Sequence, residues 1–161
     1  MKRLLFLLSL FTASLFSTSL FAQGYIGVKG SSVTTENSAY KSSLNVGLFF
    51  GADLNSIGSN NVALEVDLSA KLSDGTVYGT KWSTQTSAIF AALRTAGDTY
   101  LKAKLGIHDT KTTVGSGKGS LTGIAYGLGF GFGNYELEYT VLKAEKSNEL
   151  DINLFSVGYR F

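Results

Sequence analysis

Strict alternation of apolar and polar side chains runs from Val62 to Ser73. Val62, Leu64, Val66, Leu68, Ala70 and Leu72 fall on one face of an extended chain, and Ala63, Glu65, Asp67, Ser69, Lys71 and Ser73 on the other. A helix would scatter these charges around its axis, whereas a strand segregates them. The preceding segment repeats the pattern, with Leu44, Val46, Leu48, Phe50, Ala52 and Leu54 opposite Ser43, Asn45, Gly47, Phe49, Gly51 and Asp53. Followed along the chain, this period predicts eight strands, over 24–31, 42–54, 62–73, 80–93, 99–109, 120–132, 135–143 and 150–161. The fifth sets Leu101, Ala103, Leu105 and Ile107 against Lys102, Lys104 and His108. The sixth sets Ile124, Tyr126, Leu128, Phe130 and Phe132 against Gly and Ala, and the seventh sets Tyr135, Leu137, Tyr139 and Val141 against Glu136 and Glu138. The fourth is the least regular: Trp82 and Phe90 share a parity, with Thr84 and Thr86 between them.

The connectors also alternate. After strands two, four and six come NSIGSNN, RTAGD and GN. After strands one, three, five and seven come SVTTENSAYK, DGTVYG, TKTTVGSGKG and AEKSNEL, on average longer and more polar. Short turns at one end and longer loops at the other are the habit of a transmembrane barrel. An even strand count puts both termini at the short-turn end. The distribution of side-chain size decides between a membrane barrel and a soluble one. Large uncharged residues fill one face of nearly every strand, while Gly, Ala, Ser and charges of both signs fill the other. The interior of an eight-stranded barrel is only wide enough for side chains to fill it. The large face therefore points to lipid and the small, charged face inward. In lipid every backbone group needs a partner, which demands closure. Tyr25, Trp82, Tyr135, Tyr159 and Phe161, near strand ends, are expected in interfacial aromatic girdles.

Composition adds the compartment. Lys2 and Arg3 precede an apolar run, Leu4 to Leu8 and LFTASLF, that ends SLFAQG. This is the layout of a secretory signal peptide over 1–22, with cleavage after Ala22 or, alternatively, Ser19. The barrel domain is then 23–161. Its 139 residues give about 17 per strand and connector, enough for a spanning strand of ~9–11 residues but not for a plug domain. Losing the leader leaves 12 of the 14 basic residues against 12 acidic ones, so the formal net charge falls to zero and no electrostatic footprint for nucleic acid remains. Without Cys there is neither disulfide nor lipoprotein anchor. Nineteen Gly without Pro suit tightly approaching strands.

With its signal peptide, eight alternating strands, Gly-rich sixth strand, YELEY in the seventh and terminal GYRF, the chain resembles the small outer-membrane barrels of the opacity-protein and outer-membrane-protein-A type, the "porin family", over its whole mature length. The resemblance implies residence among the lipids of a Gram-negative outer membrane. It also implies recognition of the last strand by the barrel-assembly machinery through Gly158, Tyr159 and Phe161. In that strand Phe155, Val157, Tyr159 and Phe161 would face lipid. Counting back places Asp151 and Asn153 outward and Leu150, Ile152 and Leu154 inward. Either a bulge near Leu154 restores the register or the upper end of the strand stands above the bilayer.

The candidate chemistry lies on the inward face. Lys29, Asp53, Glu65, Asp67, Lys71, Lys81, Lys102, Lys104, Glu136, Glu138 and Arg160 are expected to line the lumen, as a structural ion-pair network or as a gate. Glu136 and Glu138 form a carboxylate pair that the neighbouring cations neutralise. His108 is the lone histidine, too few for a metal site. Small barrels that deacylate lipid A pair a His and a Ser on one strand, and GIHDTK offers only Thr110 in that place. GLGFGFG and GSGKGS match neither phosphate-binding pattern. No catalytic residue, metal or cofactor is expected. The reading is a non-enzymatic barrel with a structural or surface-interaction role carried by short outer loops and an unidentified surface ligand. The alternative is a narrow channel for ions or small solutes.

Overall fold

The computed structural model describes residues 23–145 and 150–161; the leader expected over 1–22 and residues 146–149 of the last outer connector lie outside the described residues. The strands are β1 (Gln23–Thr35), β2 (Ser43–Ile57), β3 (Asn60–Ser73), β4 (Gly75–Val77), β5 (Thr80–Thr95), β6 (Thr99–Val114), β7 (Gly117–Phe132), β8 (Tyr135–Leu142) and β9 (Ile152–Arg160). β4 continues β3 past Asp74, so the wall has eight staves. All pairings are antiparallel, and β1 closes on β9 from Gly27 opposite Arg160 to Thr35 opposite Ile152. The result is a closed up-and-down barrel with no free edge around its circumference, as the alternation requires.

The large alternating residues of the sequence stand on the outside: Leu101, Leu105, Ile107, Ile124, Leu128, Phe130 and Phe132 are all exposed. A soluble protein rarely leaves so continuous an apolar surface uncovered. At the short-turn end Tyr135, Tyr159 and Phe161 form a ladder of rings with successive centroids 5.2 Å apart. Two of the expected girdle aromatics are elsewhere. Tyr25 turns inward and donates its hydroxyl to Glu65. Trp82 is buried inside the outer end, its Nε1 donating to the Lys41 carbonyl at 2.7 Å.

The outer connectors are shorter than the spacing predicts. DGTVYG and TKTTVGSGKG are mostly strand, closed by two-residue turns at Tyr78–Gly79 and Gly115–Ser116. Tyr78 and Gly79 both have positive φ, 47° and 79°, as a type I′ hairpin turn needs. Thr110, Thr112, Thr113 and Val114 are β-branched and carry β6 onward where polarity alone suggests a loop. β5, β6 and β7 each reach 16 residues, about 50 Å of strand, well beyond the ~9–11 residues that span a bilayer. β8 and β9 have only 8 and 9 residues, so the outer wall rises on the β5–β7 side.

The wall is breached in one place. β3 pairs with β5 up to Ser69 opposite Thr86, and pairing resumes only at Gly75 opposite Trp82. Residues 70–74 therefore pass residues 83–85, two extra residues on the β3 side, and the strand bows outward. Asn45 of β2, 1% exposed, reaches across from inside and donates Nδ2 to the Thr84 carbonyl at 3.2 Å and to its hydroxyl at 3.1 Å. A side chain thus replaces the missing rung. Asn45→Ala is expected to cost about 1–3 kcal/mol, the penalty for a buried carbonyl left unpaired, read as a lower urea midpoint of the refolded barrel.

Candidate functional site

Three layers fill the lumen. The lowest, at the short-turn mouth, pairs Arg94 with Asp53. The guanidinium of Arg94 sits 4.5 Å from the Tyr25 ring centroid, and that of Arg160 lies 5.5 and 5.4 Å from Tyr25 and Tyr100. Small neighbours make room for these rings. Tyr25 lies opposite Gly51, Phe49 opposite Gly27 and Tyr100 opposite Gly131, and a Cβ at any of the three glycines would overlap the facing ring.

The middle layer is an ion network. Lys102 Nζ meets Glu65 at 2.8 Å, Glu136 at 2.5 Å and Glu138 at 3.0 Å. Lys104 bonds Asp67 at 2.9 Å and also Glu138. Lys29 bonds Asp67 and lies 3.7 Å from Glu138. Tyr100 donates to Glu136 at 2.8 Å, as Tyr25 does to Glu65 at 3.0 Å. With the mouth included, five cations (Lys29, Arg94, Lys102, Lys104, Arg160) face five carboxylates (Asp53, Glu65, Asp67, Glu136, Glu138), an arrangement of mutual neutralisation. The faces of Phe49 and Phe90 complete the packing, with Lys104 Nζ 4.1 Å from the Phe90 centroid. The remaining space among Lys29, Phe49, Glu65, Lys102 and Glu138 is a cavity of ≈ 10 Å³, room for one water at most.

The upper layer is apolar. Val33, Val77, Trp82, Leu142, Ile152 and Leu154 converge above a polar belt of Ser31, Ser156, Thr86, Thr110 and His108. The β9 register continues unbroken from Leu154 opposite Val33 to Ile152 opposite Thr35. No bulge forms there. Ile152 and Leu154 face inward because the interior at that height is hydrophobic.

Of the expected lumen residues, Lys29, Glu65, Asp67, Lys102, Lys104, Glu136 and Glu138 come together, with Arg160 below them. Lys71 does not join them. It lies on the outward-bowing stretch, half exposed, and pairs with Asp74 at 2.7 Å. Lys81 is also exposed, because the inward parity of β5 is that of Trp82, Phe90 and Arg94. Arg94 and Tyr100 escaped the sequence reading because RTAGD reads as a turn and Tyr100 stands at a strand start. Asp53, an inward acid near the mouth in need of a cation, is the signal that could have found Arg94.

His108 is buried, its Nδ1 3.0 Å from Thr110 Oγ1 and its Nε2 3.1 Å from the Lys143 carbonyl. The carbonyl only accepts, so in the neutral ring Nε2 carries the proton and Nδ1 accepts from Thr110. A His–hydroxyl pair is therefore present, but Thr110 is 0% exposed and faces the sealed interior. Among the described residues no three His or carboxylate groups converge as a metal site.

Above this belt, Lys143 donates to Asp151 at 2.8 Å, and Asp151 also accepts the Ala144 amide at 3.0 Å. The Lys143 hydrogen bond holds the Asp151 carboxyl below its ordinary value of 3.8. A depressed carboxyl stabilises the folded state above its unfolded pKa, and that contribution is lost as pH falls through the folded one. Exchange of the Ala144 amide, corrected for intrinsic chemistry, is expected to accelerate as pH drops below 3.8, with no such step in Asp151→Asn.

No protein-family model and no curated protein sequence matches the chain. Solved structures do. The barrel is similar to Ail, the attachment invasion locus protein of Yersinia pestis, in complex with the heparin analogue sucrose octasulfate, at 17% identity and a TM-score of 0.59 over 86% of this chain and 97% of that one. It is similar to the N-terminal β-barrel domain of Pseudomonas aeruginosa OprF, at 12% identity and a TM-score of 0.56 over 86% of this chain and 100% of that one. It is also similar to the outer membrane enzyme PagL, at 15% identity and a TM-score of 0.53 over 84% of this chain and 98% of that one. The chain therefore has the fold of the small eight-stranded outer-membrane barrels, as its terminal and Gly-rich motifs suggested.

Proposed function

We propose that the chain is a non-enzymatic integral protein of a Gram-negative outer membrane, exported by a cleaved leader, that strengthens the envelope and presents its outer end to surface partners. The observation that carries this reading is a lumen stopped at two heights, by ion pairs and by an apolar layer, inside a wall with an apolar exterior. A channel would need a continuous wet path, and the ion network leaves room for one water. The last strand supports the assembly role: Tyr159 and Phe161 stand outward, packed edge-on in a row with Tyr135, where the barrel-assembly machinery would meet them, while Gly158 packs inside. The surface partner would meet the raised end of β5–β7, where Lys111 and Lys118 are exposed, rather than long loops.

The enzyme reading has one observation in its favour, the contact of His108 with Thr110, alongside the likeness to an outer membrane enzyme. The orientation opposes it, because a hydroxyl with no exposure meets no lipid. The test is complementation of a strain lacking the chain. Wild type and a His108→Ala variant, shown to fold by the heat-dependent gel shift, are expected to restore detergent resistance equally and leave the acylation of outer-membrane lipid unchanged by mass spectrometry. Loss of acyl chains that depends on both His108 and Thr110 would overturn the proposal.

A further inference from the structure

Strand β7 outruns its neighbour on one side only. Against β6 it pairs without a break from Phe132 opposite Thr99 to Gly117 opposite Val114. Against β8 the regular ladder ends at Ala125 opposite Leu142. Two more bonds follow, from the Lys143 amide to the Ile124 carbonyl at 2.9 Å and from the Glu145 amide to the Thr122 carbonyl at 3.0 Å. Beyond them, residues 117–121 have no partner on that side among the described residues. In an antiparallel ladder the N–H and C=O of one residue point the same way, and the direction alternates along the strand. Thr122 and Ile124 face β8, so Lys118 and Ser120 present their N–H and C=O to the open side. The β8–β9 connector is too short to run along the whole edge. In the β8 register residue 149 would stand beside Lys118. Asp151, however, bonds the Ala144 amide, about 16 Å lower, and two residues span at most ~7 Å.

The opposite edge of the raised wall is closed by the chain itself. Tyr40 bridges Val77, and the Lys41 amide donates to the Thr76 carbonyl at 2.8 Å. The β7 edge lacks most devices that block strand addition. No bulge interrupts its register, it contains no Pro, and a Cβ on Gly119 would meet nothing within 4 Å.

We propose that this edge docks an extended segment of a second protein, added as a strand to β7 with apolar residues turned inward and acidic residues outward. Main-chain bonds to Lys118 and Ser120 would supply the attachment, and the two faces of the wall the selectivity. On the inner face the segment lies beside Gly119 and Leu121, at the rim of the apolar layer where Tyr40, Val114 and Leu121 pack. On the outer face it lies beside Lys118, with Lys111 in the row of Ser120. Above the row of Thr122 the charged residues on the outer face of β5–β7 are Lys81, Lys111 and Lys118, all exposed. The acids of this face, Asp109 and Glu145, belong to the Thr122 row, about 13 Å below Lys118. A second copy of the same edge would bring two Lys118 side chains together, and like charges across strands repel. The inference deepens the surface-partner reading above and rests on it.

The test is fluorescence anisotropy of the labelled peptide acetyl-Val-Glu-Val-Glu-Val-Glu-amide, with its Val-Lys counterpart beside it, titrated with the refolded barrel in neutral micelles. Wild type is expected to bind the acidic peptide about fivefold more tightly than the basic one. Lys118→Glu is expected to reverse that preference. Ser120→Pro removes one open-side N–H and leaves the β6 ladder whole, a change that edge strands accept. Shown to fold by the heat-dependent gel shift, it is expected to lose the peptide. Equal binding by wild type and Ser120→Pro, or none by the folded wild type, would overturn the site. An unchanged preference in Lys118→Glu would overturn the acidic partner. Crosslinked wild-type dimers that Ser120→Pro prevents would make a second copy the occupant and overturn the partner. Binding by the purified barrel with none by intact cells that make it supports the edge and contradicts the outward placement beneath the inference.

Discussion

Lys102→Met is expected to destabilise the barrel by about 3–5 kcal/mol, the cost of breaking a buried ion network by removing one partner. Lys102 is the hub of the middle layer, 3% exposed and within 3.0 Å of carboxylate oxygens from Glu65, Glu136 and Glu138. Its removal leaves Glu65 and Glu136 with the Tyr25 and Tyr100 hydroxyls as their hydrogen-bond donors among the described residues, and Lys104 4.0 Å from Glu65. Met matches the length of the lysine stem, so the change tests charge rather than volume. The cost should fall substantially when Glu136→Gln is added, because the second change withdraws a stranded negative charge. The measurement is the urea midpoint in micelles for the four chains of the double-mutant cycle. A near-neutral Lys102→Met would show that the network is hydrated and the lumen open to water.

Trp82→Ala is expected to cost a similar ~3–5 kcal/mol, by a different route. Trp82 is the largest side chain of the apolar layer, 1% exposed. Its ring meets Tyr40 edge-on at 5.2 Å, and its N–H holds the Lys41 carbonyl. Truncation leaves a cavity under the first outer connector and frees that carbonyl. Trp82→Phe keeps most of the packing and loses the hydrogen bond, so it should cost nearer ~1 kcal/mol. The two Trp82 variants separate cavity from hydrogen bond, and hydrogen exchange at Lys41, whose amide bonds the Thr76 carbonyl at 2.8 Å, should follow the larger loss. Equal stability of wild type and Trp82→Ala would contradict a packed outer layer.

The alternation of β1, β3, β6 and β8 carried the barrel and seven of the lumen charges, because those strands have one face of each kind. Legibility failed where both faces of a strand hold large or small residues. On β5 the inward parity contains Trp82, Phe90 and Arg94 alongside Thr84 and Ala88. Size therefore could not assign the faces, and Lys81 and Arg94 exchanged roles. The premise that large residues point outward holds for the belt. It fails where a facing glycine makes room, as for Phe49, Tyr25 and Tyr100. Polarity likewise misread the outer connectors: Thr is polar enough for a loop and β-branched enough for a strand, and tertiary pairing chose the strand. The apolar layer was half visible in the inward parity of Ile152 and Leu154. Its partners Val33, Trp82 and Leu142 are distant in sequence and meet only when the barrel closes. The breach left no mark at all, since two extra residues in an alternating run preserve the parity.

Single-channel recording of the refolded mature barrel in a planar bilayer tests the closed lumen most directly. Protein shown to be folded by its heat-dependent gel shift is expected to give a silent bilayer. Trp82→Ala should be silent too, because the ion layer below remains shut. Steady openings of the wild-type protein, with an ion preference altered by Glu138→Lys, would contradict the closed lumen and make the charged layer a conducting path.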